Sequence, residues 1–523
     1  MSELKQTKSI NPATLEVIGF TEENSIDDLL NAIEKCKRIQ PEWARKSFKE
    51  RNEYLFKIRD FIVDNADLIA DTISKDSGKT KMDALSTEVF PATMALTYYC
   101  KTAPKVLRRK KLKAGSILLI NKRSYIDRVP WGIVGIISPW NYPFAIPFHE
   151  IIMALVAGNA VILKVATQTL QVGKIIQQCI DAAGLPDGLF HLLNIPGNIA
   201  GDSFIGNGIN KIFFTGSVPV GKKLMKSASE KLLPLSLELG GNDAMIVCSD
   251  ANLFRAVSGA LWAGLSNSGQ SCAGVERIYV DTKIYNEFII LLKKQIVKLR
   301  HGADTGFNVD IGSLTTENQL KTVKEHVLDA EEKGALVSTF SNPNENNPGL
   351  FHPLTIIENV TDEMLVMKEE TFGPVIAISK FNTIEEAITN ANNSNLGLTA
   401  SIWTEDKEKA HSIASRIEAG AITINDHLMS HGLAETPWGG FKQSGLGRTH
   451  SYLGLEEMTQ PRVVVDDIMP GVQKNMWWYP HSKSIYDGLK GAMEFLYSND
   501  IMKRLTGLVK LTKVFLRSFS KNG

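Results

Sequence analysis

The stretch Trp131–Leu163 reads WGIVGIISPWNYPFAIPFHEIIMALVAGNAVIL and contains two short apolar runs, WGIVGII at its start and AVIL at its end. A helical stretch, Pro147–Val156, separates them, and a third apolar run, Lys211–Phe214, follows after another helical stretch. Short apolar strands that alternate with helices indicate a parallel sheet covered on both faces. The sequence therefore predicts an α/β fold.

Polar residues follow each of these runs, and ligands of such sheets bind at the carboxyl ends of the strands. Asn141, Lys164 and Ser217 occupy these positions, so we interpret this half of the chain as a dinucleotide-binding domain. From Gly240 onward the pattern repeats, which predicts a second α/β domain. Its expected strands lie near Ala244–Val247, Arg277–Val280, Pro374–Lys380 and Ala400–Trp403.

The segment before these strands is predicted to be helical. Apolar residues recur at helical spacing from about Ser25 to Lys81, which we interpret as two helices, and a further helical tract covers about Ala84–Val106. A basic cluster at residues 108–113 follows, and such a run is usually a solvated surface.

Length and composition bound the class of protein. The chain has 523 residues, enough for two to four domains, and its 43% apolar and 22% charged content is ordinary for a globular enzyme. A net charge of +1 gives nucleic-acid binding no support. No stretch reaches the roughly 18 apolar residues of a spanning helix, and the start lacks the apolar core of a signal peptide, so we expect a soluble body.

Cysteine usage predicts a reducing compartment, and we expect a cytoplasmic protein. The five cysteines are an odd number, and they are scattered without close pairs or His-rich spacing. This pattern argues against a disulfide framework and against a metal site. They are Cys36, Cys100, Cys179, Cys248 and Cys272.

Two loops carry candidate chemistry, Glu238–Asn242 (ELGGN) and Gly269–Gly274 (GQSCAG). The thiol of Cys272 lies between small residues, where a substrate can approach it closely. Most lone cysteines are small buried hydrophobic residues, so Cys272 alone is weak evidence for a nucleophile. Its neighbours along the chain strengthen that interpretation.

Six ordered motifs together resemble the aldehyde dehydrogenase superfamily, and the likeness runs from about Asn11 to about Val465. Besides the two loops they are Ser138–Phe144 (SPWNYPF), Lys164, Phe214–Ser217 (FTGS) and Glu369–Pro374 (EETFGP). The resemblance implies two α/β domains with Rossmann-like parallel sheets plus an oligomerisation arm, in a homodimer or homotetramer.

The resemblance and the strand pattern together predict the domain boundaries. We expect the dinucleotide-binding domain at residues 1–111 and 131–239 and the catalytic domain, with Cys272, at residues 240–445. The arm and strand that pair with another subunit would be residues 112–130 and 456–467, and a C-terminal extension would cover residues 468–523. An apolar edge strand left unpaired would be an aggregation hazard, which fits pairing between subunits.

The same resemblance implies oxidation of an aldehyde to a carboxylic acid. Cys272 would attack the aldehyde, the Asn141 amide and the Cys272 backbone N–H would stabilise the oxyanion, and Glu238 would deprotonate the water that hydrolyses the thioester. A CoA-acylating dehydrogenase is the alternative among enzymes, and a non-catalytic scaffold that retains the fold is the alternative outside them.

NAD or NADP is the expected cofactor. Gly216, Ser217 and Gly221 open a helix whose N-terminus favours a phosphate, although the G-x-G-x-x-G fingerprint is absent. Thr167 stands where family members that prefer NAD commonly have a glutamate, so NADP is expected to be accepted. The remaining cofactor residues implied by the resemblance are Trp140, Lys164, Glu370 and Phe372.

The chain also departs from the family at a proton relay. Many relatives carry a lysine and a glutamate at the positions of Glu150 and Thr449, so a different relay through water or His450 is expected. A lone histidine is more often structural. The aldehyde itself is not identified, because it depends on loops around Phe144, Trp262, Ser271, Asp426 and His427.

The tail is the last departure. After Asp500 an apolar helical pattern carries basic residues and no acid, close to the aromatic cluster Trp477–Tyr479. A basic amphipathic helix is typical either of peripheral membrane contact or of docking on protein. The apolar positions are Ile501, Leu505, Leu508, Val509, Phe515 and Leu516, and the basic ones are Lys503, Arg504, Lys510, Lys513, Arg517 and Lys521.

Overall fold

The computed structural model of the chain describes residues 5–341, 343, 348–469 and 471–519. They form two compact units. The first comprises the described residues of Met1–Arg108 and Val129–Gln460, and the second those of Arg109–Arg128 and Pro461–Gly523. Lys521, one of the basic residues of the predicted tail helix, lies outside the described residues.

The elements follow one another in chain order. The strands are β1 (Gln6–Ile10), β2 (Val17–Glu22), β3 (Lys110–Leu112), β4 (Lys122–Pro130), β5 (Ile133–Ile137), β6 (Ala160–Lys164), β7 (Phe190–Leu192), β8 (Lys211–Thr215), β9 (Leu235–Glu238), β10 (Asp243–Val247), β11 (Val275–Asp281), β12 (Leu336–Phe340), β13 (Leu354–Glu358), β14 (Val375–Phe381), β15 (Leu396–Gly397), β16 (Thr399–Trp403), β17 (Ala421–Ile424), β18 (Phe441–Lys442), β19 (Gly445–Leu446) and β20 (Thr459–Asp467). The α-helices are α1 (Ile26–Arg45), α2 (Phe48–Asp64), α3 (Ala66–Ser77), α4 (Lys81–Ala84), α5 (Phe90–Val106), α6 (Ala145–Ala157), α7 (Leu170–Asp181), α8 (Gly197–Gly206), α9 (Val218–Ser229), α10 (Leu253–Leu265), α11 (Tyr285–Ile296), α12 (Glu317–Glu332), α13 (Leu365–Lys368), α14 (Ile384–Asn392), α15 (Lys407–Ala414), α16 (Met429–Gly432), α17 (Ser451–Glu457), α18 (Lys483–Tyr497) and α19 (Ile501–Arg517).

The first unit contains two sheets. One has the strand order β19-β9-β8-β5-β6-β7 and is parallel except for β19, and the other has the order β12-β13-β14-β11-β10-β16-β17 and is parallel except for β12. The strands β5, β6 and β10 are buried along their whole length because helices cover both faces. The predicted α/β fold with two mainly parallel sheets is confirmed, whereas the boundary predicted near residue 240 stays a prediction.

The N-terminal helical region differs from the prediction of two helices. Three long helices, α1, α2 and α3, occupy it. Only two residues separate α1 from α2, which starts at a capping box formed by Ser47 and Glu50, and Asn65 caps the end of α2. The continuous apolar periodicity conceals these breaks, because the apolar residues of all three helices face the same core.

The second unit consists of a small sheet and a helical hairpin. The sheet has the order β20-β4-β3, and α18 packs against α19. The two helices approach closely at glycines, since a Cβ on Gly491 would lie 2.7 Å from the Gly507 carbonyl oxygen. In the described part of the chain, no helix has the length and apolar character needed to cross a bilayer.

Candidate active site

The loop between α10 and β11 carries Cys272. Asn267 and Ser268 of this loop adopt left-handed backbone conformations, with φ of 53° and 57°, which are unfavourable for residues other than glycine. A buried carboxylate supports the turn, because Asp83 accepts hydrogen bonds from the Asn267 N–H at 3.2 Å and from a neighbouring serine. Gly269 is also left-handed, and a Cβ there would lie 1.9 Å from a backbone oxygen. The loop geometry is therefore fixed by the fold.

Glu238 is the last residue of β9, and the glycines that follow it contact the cysteine loop. A Cβ on Gly241 would lie 2.1 Å from the Cys272 carbonyl oxygen, so only glycine permits this approach. The Glu238 side chain is buried, and neither carboxylate oxygen has a hydrogen-bond partner among the described residues. The structure thus brings the predicted base and nucleophile to one place.

The surroundings of Glu238 and Cys272 disfavour the ionised form of each side chain. Burial raises the pKa of Glu238 well above its usual range, and the nearby Glu150 carboxyl raises it further while Arg448 opposes the shift. Burial also raises the pKa of the Cys272 thiol, with a further contribution from the carboxyl of Glu370. Cys272 remains half-exposed on the wall of a cavity, where a small molecule can reach its sulfur.

Asn141 lies after β5 and reaches the same loop. Its side-chain N–H donates a hydrogen bond of 3.1 Å to the Gln270 carbonyl oxygen, two residues before Cys272. The backbone carbonyl oxygen of Asn141 accepts hydrogen bonds from the side-chain N–H of Asn267 at 2.9 Å and from Lys79 Nζ at 2.7 Å. The amide of Asn141 is therefore held close to the backbone of the cysteine loop.

A buried ion pair that the sequence analysis did not identify supports this arrangement. Lys79 Nζ and Glu88 Oε1 are 2.5 Å apart with both side chains fully buried, and Glu88 lies in a π-helical turn, Leu85–Val89, between α4 and α5. The second Glu88 oxygen accepts hydrogen bonds from the backbone N–H groups of Phe144 and Ala145.

The cavity in front of Cys272 is formed by loops from both halves of the first unit. Of the loop residues named from sequence, Trp262, Ser271 and His427 line it, whereas Phe144 is fully buried and stacks on Phe148 with ring centroids 5.2 Å apart. Asp426 caps the loop, since its carboxylate accepts a hydrogen bond from the His427 N–H. The lining residues are Ser86, Thr87, Pro91, Tyr142, Ile146, Trp262, Ser271, Cys272, Ala273, His427, Leu428, Met429, His431, Gly432 and Trp438.

The predicted phosphate-binding segment begins a helix. Ser217 is the N-cap of α9, and its side chain makes no capping hydrogen bond, so the unpaired N–H groups at this end remain available for an anion. Gly216 precedes it, and Gly221 packs so closely that a Cβ would lie 2.7 Å from the Leu239 side chain. This packing connects the start of α9 to the loop after Glu238.

The other predicted cofactor residues lie at two places. Lys164 ends β6 and is buried, which lowers its pKa to about 8, and Thr167 begins the turn that follows. Trp140 makes an edge contact with Phe372, with ring centroids 5.6 Å apart, and Glu370 Oε1 accepts a hydrogen bond of 3.0 Å from the Gly241 N–H. An uncapped helix end, a lysine and a carboxyl are groups of the kind that would hold the diphosphate and ribose groups of a dinucleotide.

Glu276 is a further residue that the sequence analysis missed. It is buried in β11, and its two carboxylate oxygens accept hydrogen bonds from the backbone N–H groups of Thr371 and Phe372 at 2.9 and 2.7 Å. Phe372 has a φ of 53°, so these bonds hold a strained residue in place. Glu276 thereby positions the loop that carries Glu370.

Glu150 and Thr449, where this chain departs from the family relay, are both buried, and Glu150 lies close enough to Glu238 to raise its pKa. Burial raises the pKa of Glu150 to about 8, and the hydroxyl of Thr449 has no hydrogen-bond partner among the described residues. His450 contacts other histidines instead, because its Nε2 lies 2.7 Å from Nδ1 of His149 and its ring lies 4.9 Å from that of His431.

Comparison with known proteins identifies the family. The model of the Aldehyde dehydrogenase family matches residues 1–464. A 4,4'-diapolycopene aldehyde oxidase of Methylomonas sp is 37% identical over 468 residues, which are 90% of this chain and 87% of that protein. A protein of Mycolicibacterium smegmatis, provisionally named an NADP(+) succinate-semialdehyde dehydrogenase, is 35% identical over 84% of each chain.

Solved structures agree with this assignment. An aldehyde dehydrogenase from Brucella melitensis biovar abortus 2308 superposes with a TM-score of 0.84 at 33% identity, over 88% of this chain and 94% of that one. The NAD+ complex of an aldehyde dehydrogenase from Bacillus cereus gives a TM-score of 0.84 at 30% identity, over 89% and 94%. The chain therefore belongs to the aldehyde dehydrogenase family and is an enzyme that oxidises an aldehyde to the carboxylic acid with NAD or NADP as the cofactor.

Proposed function

We propose that this chain is a hydrolytic aldehyde dehydrogenase with Cys272 as nucleophile, Asn141 as oxyanion donor and Glu238 as general base. The observation that carries the proposal is the buried Glu238 carboxyl, which has no hydrogen-bond partner among the described residues and lies close enough to Cys272 to raise the pKa of its thiol. A buried carboxyl without a partner is costly, and a base that must accept a proton from water explains why it is retained there.

The chain's own groups perform the following steps. The sulfur of Cys272 forms a bond to the aldehyde carbon as the thiol proton passes to water, and the carbonyl electrons move to oxygen. The Asn141 amide and the Cys272 N–H donate hydrogen bonds to that oxygen, and one such donor typically contributes about 2.7–4 kcal/mol to transition-state stability. NAD or NADP, when bound, supplies a nicotinamide that accepts the hydride. Glu238 then takes a proton from a water whose oxygen forms a bond to the thioester carbon. The C–S bond breaks, its electron pair returns to the Cys272 sulfur, and the carboxylic acid leaves.

The test is the fate of the thioester in the Glu238→Gln variant. Glu238→Gln should accumulate an acyl group on Cys272, visible by intact-protein mass spectrometry, and show a burst of reduced cofactor before a slow steady state. Cys272→Ala, the control, should show neither. If hydride transfer in Glu238→Gln slows as much as hydrolysis, Glu238 is not specifically the hydrolytic base.

CoA distinguishes the hydrolytic enzyme from the acylating alternative. Wild-type enzyme supplied with CoA should still release the free acid, because Glu238 activates water at the thioester. Release of acyl-CoA as the main product would establish the alternative.

We also propose that NADP is used at a rate comparable to that of NAD. Thr167 is uncharged and half-exposed after the strand that carries Lys164, so no carboxylate at this position repels a 2′-phosphate. The Mycolicibacterium smegmatis relative bears an NADP(+) name, which supports the same choice.

An oligomer is proposed from the small sheet of the second unit. β20 is at the edge of the β20-β4-β3 sheet, and its Val463 and Val465 side chains are 62% and 59% exposed. An apolar edge strand is stabilised when it pairs with another strand, so we propose that β20 pairs with a second copy of the chain. Light scattering of the full chain measures whether it is a dimer or a tetramer.

The second unit is further proposed to contact anionic membrane surfaces from the cytoplasmic side. Gly507, Leu511 and Val514 lie on the buried face of α19, which packs on α18. Ile501 and Leu505 lie on another face of α19 and are 65% and 54% exposed. Lys513 is exposed beside this apolar face. The five cysteines are unpaired, which is compatible with a reducing cytoplasm.

A further inference from the structure

The cavity in front of Cys272 has no charged wall. Among the described residues that line it there is no Lys, Arg, Asp or Glu. Aromatic and aliphatic side chains form most of its surface, chiefly those of Tyr142, Ile146, Trp262, Leu428 and Met429.

Its two histidines are neutral at physiological pH. Burial lowers the pKa of both His427 and His431 to about 4. His427 Nε2 also lies 2.8 Å from the Ala273 carbonyl oxygen, which requires a donating N–H on that nitrogen, so this atom has no capacity left for a substrate oxygen.

The charged groups behind the cavity do not attract an anion. Glu238, Glu370 and Asp243 are close enough to raise the pKa of the Cys272 thiol, and all three are acidic. A buried cation of this region, Lys79, is already paired with Glu88 and donates to Asn141.

Cations in a neighbouring cavity are also engaged. That cavity shares only Trp262 with the first among the described residues, and Trp262 therefore forms a wall between them. On its far side Arg300 pairs with Asp310 at 2.7 Å, and Lys298 donates to Gln295 at 2.9 Å.

We propose that the active site selects uncharged, apolar aldehydes and rejects aldehydes that carry a second carboxylate. The inference rests on the proposed role of Cys272 and extends it to the substrate class. An apolar chain gains from burial against the aromatic wall, whereas a carboxylate would lose its hydration without gaining a cation from the described residues that line the cavity. The selection against a second carboxylate therefore follows from the absence of a cation among the described residues that line the cavity.

Matched substrates test the selection directly. Hexanal and 6-oxohexanoate have the same chain length and differ at the far end by a carboxylate. The value of kcat/KM should be at least about 100-fold higher for hexanal, because the charged end must be desolvated without a partner. Equal values, or a preference for 6-oxohexanoate, would overturn the proposal.

An introduced cation should reverse part of the selection. Met429 is 50% exposed on the cavity wall, so Met429→Arg can place a guanidinium there without deep burial. This variant should raise kcat/KM for 6-oxohexanoate relative to hexanal by about 10-fold or more, since a paired carboxylate is no longer rejected. Met429→Gln, similar in length but uncharged, should leave the ratio of the two substrates unchanged. A ratio that shifts equally in both variants would contradict the proposal.

Thiol labelling gives a measurement that needs neither cofactor nor turnover. Ethyl methanethiosulfonate and its anionic 2-sulfonatoethyl analogue are compared on wild-type enzyme by mass spectrometry, with Cys272→Ala as the background. Relative to their rates with a small free thiol, the uncharged reagent should label Cys272 at least about 100-fold faster. Equal labelling by the two reagents would overturn the proposed substrate selection and leave the proposed function standing. If neither reagent labels Cys272, the result would count against Cys272 as the accessible nucleophile, and so against the proposed function itself.

Discussion

A buried ion pair, Lys79–Glu88, supports the position of Asn141. The Lys79–Glu88 pair is fully buried, and each partner also bonds the segment that carries Asn141. Breaking a buried pair by removing one partner typically costs about 3–5 kcal/mol, because the remaining charge is uncompensated. The pair therefore supports the position of the segment that carries Asn141.

We expect Lys79→Met to lower both the thermal stability and kcat, since Glu88 would be left as an unpaired buried carboxylate. The double variant Lys79→Met/Glu88→Gln should recover stability, as no charge remains unpaired, while kcat stays low because Asn141 has lost its support. Thermal unfolding and kcat are measured for the single and double variants. A double variant as unstable as Lys79→Met would show that the pairing of charge is not the cause.

Nucleotide choice also depends on one residue. Thr167→Glu should lower kcat/KM for NADP relative to NAD by about 10-fold, equivalent to roughly 1.4 kcal/mol of repulsion of the 2′-phosphate. Thr167→Gln has nearly the same size without the charge and should retain NADP activity. Negligible NADP activity of the wild type would show that another residue closes the site.

At this scale the sequence predicts residues in motifs better than residues that support them. Cys272, Glu238 and Asn141 are found by motif, and the structure brings them together. Glu276 bonds a loop distant in sequence, and Lys79 joins its ion pair with Glu88 to the equally distant Asn141, so nothing in their local pattern predicts those distant partners.

At the scale of elements, the buried strands are predictable and the less apolar ones are not. β5 and β6 are continuous apolar runs, whereas β9 (LSLE) is a four-residue strand of mixed polarity whose place in the sheet depends on pairing with β8. The tail was predicted as one amphipathic helix with two alternative roles. The structure shows a hairpin in which α19 has one face docked on α18 and a second apolar face exposed.

That second face leads to a prediction about membranes. Sedimentation with anionic vesicles at low salt should pellet the wild type, and the Ile501→Ser/Leu505→Ser/Val509→Ser variant should pellet several-fold less because it loses exposed apolar area. The control, Thr506→Ser/Thr512→Ser, alters exposed polar positions of the same helix. Raised ionic strength should weaken binding of the wild type. Equal pelleting of all three proteins would refute the membrane role and leave the face as an oligomer contact.

At the scale of the whole molecule, buried ionisable groups couple folding to pH in two directions. Burial raises the pKa of Asp243 and Glu150 to about 8, so their contribution to stability falls as pH rises from their unfolded values towards 8. Burial and the nearby His431 lower the pKa of His149 to about 3, so its contribution is present above about pH 6.5 and is lost on acidification.

The contribution of His149 can be isolated by substitution. At pH 5 an unfolded histidine is protonated and the buried one is not, which destabilises the folded state by roughly 2 kcal/mol relative to neutral pH. His149→Phe lowers stability overall, because His450 loses its 2.7 Å partner, but its stability should fall less than that of the wild type between pH 7 and pH 5. His411→Phe, at an exposed position, should keep the wild-type slope. Apparent Tm against pH measures all three proteins, and identical slopes for His149→Phe and the wild type would show that His149 does not stay neutral in the folded chain.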